Sequence, residues 1–153
     1  MDCYRNHHCE CEDRRCHSHD HGPEVYAVNV QRAAQENNYF RTALWTGCYG
    51  QMTLMSIPVC GEIGVEIHQD TDQIITVEQG QCVVKIGEHR DCLHVYKTLC
   101  QGTTVFIPAG TWHNIINTGR CSLKLSSIYA PPHHPWGTVH RTKAEAEAAA
   151  AKE

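Results

Sequence analysis

Between residues 41 and 131 the chain alternates apolar and polar positions over short runs, each ended by Gly, Pro, Asp or Asn. The runs read as strands at Arg41–Thr46, Gln51–Ile57, Val65–Gln69, Gln73–Glu78, Cys82–Ile86, Leu93–Thr98, Thr103–Ile107, Asn114–Asn117 and Ser122–Tyr129. Strands this closely spaced, with no long helix between them, predict an all-β sandwich or barrel. Ahead of them, residues 23–38 form a connecting stretch with a short helix expected near Gln31–Glu36. Behind them, the stretch from Thr142 reads TKAEAEAAAAKE, a strong helix former whose only apolar residue is alanine. The expected organisation is an irregular arm over 1–22, one domain over 23–140 and a short helical tail over 141–153, without internal repeats.

One run bears on chemistry. In Gly64-Val65-Glu66-Ile67-His68 a period of two puts Glu66 and His68 on one face and Val65 and Ile67 on the other. Both faces then need cover, from a second copy of the chain or from the N-terminal segment, so a homodimer or larger homo-oligomer is expected.

Composition narrows the classes. With 153 residues, 41% of them hydrophobic and 20% charged, the chain suits one domain with a packed core. A net charge of −4 gives no reason to expect nucleic acid. No apolar run is long enough for a membrane span, and the start Met1-Asp2-Cys3-Tyr4 has no apolar leader, so synthesis in the cytoplasm without a signal peptide is expected.

The 10 cysteines and 12 histidines are unusual for this length. Cys3, Cys9, Cys11 and Cys16 crowd the arm with five histidines, offering soft and borderline ligands without a zinc-finger spacing. Cys48, Cys60, Cys82, Cys100 and Cys121 sit beside turn signals, which predicts accessible thiols, and together with Cys92 they are candidates for disulfide or metal crosslinks. Reduced thiols in a cytosolic protein, or crosslinking once the cell lyses or matures, both fit.

The stretch Gly102-Thr-Thr-Val-Phe-Ile-Pro108-Ala-Gly110-Thr-Trp-His113-Asn-Ile-Ile-Asn117 matches every fixed position of the second cupin motif, G-x5-P-x-G-x2-H-x3-N. The first motif is matched in part by residues 61–80, which keep His68 and Gly80 but carry Glu66 for the first His and Gln73 for the Glu. From about Phe40 to His140 the chain resembles small single-domain bacterial cupins of the mannose-6-phosphate-isomerase-like type. That resemblance implies a double-stranded β-helix, or jelly-roll barrel, with a divalent transition metal inside it.

Glu66, His68 and His113 would form a two-His, one-carboxylate set suited to Fe, Mn, Co, Ni or Zn with positions left open. Gln73 would be a weak fourth ligand or a group orienting bound water. One carboxylate against a divalent ion leaves a positive site that favours a small anionic or chelating ligand. The alternative is a barrel that binds no metal, with Glu66 a hydrogen-bonded buried carboxylate and His113 a core histidine. Beyond the barrel, the prolines around His133 and His134 force an extended path. That path makes either a packing strap held by Trp136 or a carrier of acid–base groups among Tyr129, His133 and His134.

Two functions follow from different features. The arm, the cysteines and the tail suit a structural, self-assembling component crosslinked through its cysteines, similar in composition to spore-coat and exosporium proteins, which would place it at a spore surface. The barrel suits a cupin metalloenzyme, of isomerase or dioxygenase type, acting on a small polar metabolite such as a sugar phosphate. No phosphate-cradling loop and no basic pair is evident near the site.

Overall fold

A computed structural model describes residues 19–152; Cys3, Cys9, Cys11 and Cys16 lie outside them. The strands are β1 (Arg41–Thr46), β2 (Gln51–Ile57), β3 (Asp72–Gln79), β4 (Gln81–His89), β5 (Cys92–Cys100), β6 (Thr104–Ile107), β7 (Trp112–Asn117), β8 (Leu123–Ala130) and β9 (Val139–His140). They form two antiparallel sheets, ordered β6-β3-β8-β2-β1-β9 and β5-β4-β7, the jelly-roll sandwich that the resemblance implies. No helix among the described residues is long and apolar enough to cross a membrane.

The two helices are short and capped. Helix α1 (Val30–Glu36) starts at Asn29, whose side chain accepts from the Arg32 amide at 2.9 Å. Its Ala34 packs with Leu44 and Leu54 on the outside of the larger sheet. Helix α2 (Lys143–Ala150) starts at Thr142, whose hydroxyl accepts from the Glu145 amide at 3.2 Å, and it buries Ala146 in the main core.

Inward-facing residues divide the sandwich by polarity. At one end the register aligns Ile57 with Leu123, and Met55 with Leu125 and Val77, all buried together with Val84, Leu99 and Ile115. Two residues along, the same faces carry Thr53, Ser127 and Ile75, and at the other end Gln51, Tyr129 and Gln73 stand side by side. The apolar end supplies the burial that holds the sheets together, about 25 cal/mol per Å² of apolar surface. The polar end is where chemistry can occur.

Two features of the chain path depart from the strand pattern. Residues 65–69 do not form a strand: Gly64 has φ +105°, and Glu66 makes only an isolated bridge to His113, each amide donating to the other's carbonyl at 3.0 Å. The stretch nevertheless turns Glu66 and His68 inward, and Val65 and Ile67 are half-buried within the chain itself. The two-residue β9 was not expected, because it follows a proline-rich stretch and pairs only with Arg41 and Thr42.

Residues 131–138 form a strap at the polar end. Gln51 fastens it, its amide nitrogen donating to the His134 carbonyl at 2.8 Å and its oxygen accepting from the His134 amide at 2.9 Å. Residues 20–22 pack against the same strap. Buried Asp20 accepts from the Gly137 amide at 2.9 Å and the Thr46 hydroxyl at 2.6 Å, while the Trp136 indole donates to the Gly22 carbonyl at 2.9 Å. Replacing Asp20 removes the acceptor for the half-buried Gly137 amide and Thr46 hydroxyl and for the Gly22 amide. Asp20→Ala is expected to cost about 3 kcal/mol in denaturant melts and to speed amide exchange at Gly137. Unchanged exchange at Gly137 would show that Asp20 does not secure the strap.

Candidate metal centre

Three segments bring the candidate ligands together. The loop before β3 supplies Glu66 and His68, β3 opens with Asp72 and Gln73, and β7 carries His113. The turn at Pro108-Ala-Gly110 precedes β7, and its glycine has φ +78°, a conformation an L side chain rarely adopts. That turn is tied to the ligand loop, since the Gly110 amide donates to the His68 carbonyl at 2.8 Å and the Ala109 amide to Asp72 Oδ1 at 2.9 Å. Loop, strand and turn are therefore one hydrogen-bonded unit.

The side chains converge. One ligand atom from each of Glu66, His68 and His113 lies within 4.8 Å of the others. Glu66 Oε1 stands 3.3 Å from His113 Nε2 and 3.5 Å from His68 Nε2. His113 Nδ1 is 2.8 Å from the Thr111 carbonyl, which can only accept, so that nitrogen carries a proton and Nε2 is the atom turned toward Glu66. Gln73 donates through its amide nitrogen to the Tyr129 hydroxyl at 3.1 Å, which turns its oxygen to within 3.1 Å of His113 Nε2.

An imidazole nitrogen, an amide oxygen and a carboxylate oxygen thus converge, an arrangement that suits a cation. Both ring nitrogens of His68 and Glu66 Oε1 are buried without a hydrogen-bond partner, so the donor set fits a divalent ion. Burial is the largest single influence on the Glu66 carboxyl and raises its pKa, yet the His113 and His68 contacts together hold it well below the usual range.

Around this point lie groups that the sequence pattern either left open or did not reveal. The strap sets the His133 ring 4.2 Å from that of His68, and His134 lies 4.7 Å from His133 and 5.1 Å from Tyr129, centroid to centroid. Burial pushes the Tyr129 hydroxyl up to about 12. Arg41, on the inward face of β1, is only 6% exposed and reaches the vicinity of Tyr129 and His134. Nothing in its local sequence marked it, because an Arg opening a strand usually points to solvent. His94 and Tyr96 are exposed on β5 and take no part.

The thiols behave differently from expectation at one position. Cys82 is buried on the inner face of β4, and burial raises its thiol to about 11. Gly80 ends β3 next to it, so the turn signal was real, but the turn closes before Cys82. Cys60, Cys92, Cys100 and Cys121 are exposed free thiols, and Cys48 sits in the exposed β1–β2 turn. No disulfide joins two of the described cysteines.

Burial, with Arg41 and His133 adding to it, lowers His134 to about 2 against an ordinary 6.5, so the folded protein keeps this imidazole neutral while the unfolded chain protonates it. Stability from this group is complete above pH 6.5 and falls as the pH drops below it, by about 1.4 kcal/mol per pH unit. His134→Gln is expected to flatten that acid limb in melts recorded across the range. An unchanged slope would show that His134 is solvated.

Comparison with known proteins agrees with the geometry. A family model for the cupin domain matches residues 53–129, which include all four candidate ligands. The uncharacterized protein YrkC of Bacillus subtilis is 52% identical over 138 residues, covering 90% of this chain and 74% of its own. The uncharacterized protein L612 of Acanthamoeba polyphaga mimivirus is 41% identical over 117 residues, 76% of this chain and 71% of its own. The crystal structure of BH2720 from Bacillus halodurans is 52% identical and superposes with a TM-score of 0.82, covering 84% of this chain and 98% of that one. With its motif, its two-sheet barrel and these relatives in agreement, the chain belongs to the cupin family.

Proposed function

We propose that this cupin binds a divalent transition metal through Glu66, His68 and His113, with the Gln73 amide oxygen as a fourth, weaker donor, and that the metal serves a small polar ligand at the barrel mouth. One observation carries the reading: ligand atoms of Glu66, His68 and His113 lie within 4.8 Å of one another, and both ring nitrogens of His68 are buried without a hydrogen-bond partner. The ion, when bound, would act as a Lewis acid on a ligand oxygen. The chain's own part is to orient the donors. Thr111 fixes the His113 tautomer, Tyr129 fixes the Gln73 amide, and the strap narrows access for water. Turnover of isomerase or dioxygenase type, on a metabolite such as a sugar phosphate, is the enzymatic form of this reading and accords with the mannose-6-phosphate-isomerase-like resemblance.

A structural role is the second reading. It is supported by the four exposed free thiols at Cys60, Cys92, Cys100 and Cys121, which solvent exposure leaves open to crosslinking. Together with the cysteine-rich arm, they suit a crosslinked homo-oligomer such as a spore-coat component. A metal-bearing barrel is compatible with such an assembly.

The test is metal analysis of the purified chain with Cys3, Cys9, Cys11 and Cys16 replaced by serine, so that the arm contributes no thiolate. About one ion per chain is expected, falling below roughly a tenth of that in His113→Ala. Gln73→Glu, which adds a carboxylate at the fourth position, should tighten binding. Metal content unchanged in His113→Ala would place the ion elsewhere.

A further inference from the structure

Arg41 is a buried cation without a carboxylate. Its guanidinium makes no ion pair with any described Asp or Glu, and its Nε is buried with no hydrogen-bond partner. Asp20, the carboxylate that is buried among the described residues, directs its oxygens to Thr46, Gly22 and Gly137. The flank of the guanidinium rests on Phe40, with 5.5 Å between its central carbon and the ring centroid, so it is held rather than free to swing into solvent. An unpaired buried charge is costly, and folds retain one where something else completes it.

The other buried polar atoms lacking partners stand in the same compartment. Besides Glu66 Oε1 and the His68 ring nitrogens, they include Thr53 Oγ1, Ser127 Oγ and His134 Nε2. Thr53 and Ser127 face each other across β2 and β8, one inward position below Gln51 and Tyr129. Arg41 connects to the ligand set through Tyr129, whose hydroxyl takes the Gln73 amide proton at 3.1 Å while Gln73 reaches His113 at 3.1 Å. The orphaned groups therefore gather at the polar end of the sandwich, which also holds the donor triad and which Arg41 reaches through Tyr129.

Charge and shape narrow what completes it. A divalent ion and Arg41, set against the single carboxylate of Glu66, leave two positive charges in the compartment, because His134 stays neutral. Those charges are separated, so a ligand whose two negative charges are also separated fits better than one that concentrates them. A single guanidinium fork pairs bidentately with one carboxylate, which leaves a second carboxylate to reach the ion. Resting on the metal reading above, we propose that the barrel mouth binds a small dicarboxylate, one carboxylate reaching the metal and the other paired with Arg41, with Thr53 and Ser127 supplying hydroxyl contacts.

The test uses the full chain loaded with Co(II), whose visible spectrum reports its coordination, titrated with malonate and separately with inorganic phosphate. Malonate is expected to bind and to alter the Co(II) spectrum. Arg41→Met, close to arginine in volume, should weaken malonate by about tenfold or more with Co(II) uptake unchanged, and Arg41→Lys should weaken it less. Equal malonate affinity in wild type and in Arg41→Met, or in Arg41→Lys where the Met variant does not fold, overturns the Arg41 pairing while leaving the metal reading intact. Phosphate bound in preference to malonate, or no malonate binding, overturns the dicarboxylate class. Failure of the wild-type chain to take up Co(II) in the barrel overturns the metal reading and this inference with it.

Discussion

Everything at the polar end of this barrel depends on keeping the Glu66 carboxylate charged where water reaches it poorly. Taken alone, burial would drive such a group to its neutral form. Two imidazoles prevent this, and each is held by the backbone rather than by chance packing. His113 is fixed through its Nδ1 proton to Thr111, and the His68 loop is fixed through the Gly110 amide. The turn at Gly110, the bridge between Glu66 and His113 and the Gln73 amide orientation all serve one geometry, the convergence of Glu66, His68 and His113.

The fold makes this affordable by separating its tasks along the strands. Leu123, Leu125, Met55, Ile57 and Val77 fill one end, while their strand neighbours Ser127, Tyr129, Thr53, Gln51 and Gln73 face the other. Each buried polar group without a partner costs about 1–3 kcal/mol, so a cluster of them persists only because the apolar end offsets the cost. The strap closes the arrangement, tied to β2 by Gln51 and to residues 20–22 by Asp20 and Trp136. The described chain thus enters the domain at the same end as the candidate site.

Most of the scaffold and the ligand set were legible from residue order. Alternation placed eight of the nine strands among the described residues, and the spacing around Pro108, Gly110 and His113 singled out a turn whose glycine adopts positive φ. Glu66, His68, Gln73 and His113 were singled out through the cupin motifs they resemble, and the fold brings Glu66, His68 and His113 within 4.8 Å of one another. What was not legible depends on long-range register. Arg41 became an interior group only through β1 pairing with β2 and β9, and its approach to Tyr129 spans residues far apart in sequence. Residues 65–69 read as a strand because alternation survives where Gly64 breaks the ladder. Cys82 read as a surface thiol because turn residues precede it by so little, although the chain has already re-entered the core.

The central claim is that the barrel, through nitrogen and oxygen donors, is the metal centre. X-ray absorption spectroscopy on the full chain carrying one equivalent of Co(II) or Zn(II) tests it most directly, because sulfur scatterers are readily told from lighter ones. The account predicts a shell of nitrogen and oxygen near 2.0–2.2 Å, with about two imidazoles and no sulfur. A shell dominated by sulfur near 2.3 Å would contradict it, assigning the ion to cysteine thiolates and leaving Glu66 without the cation that its surroundings are built to hold.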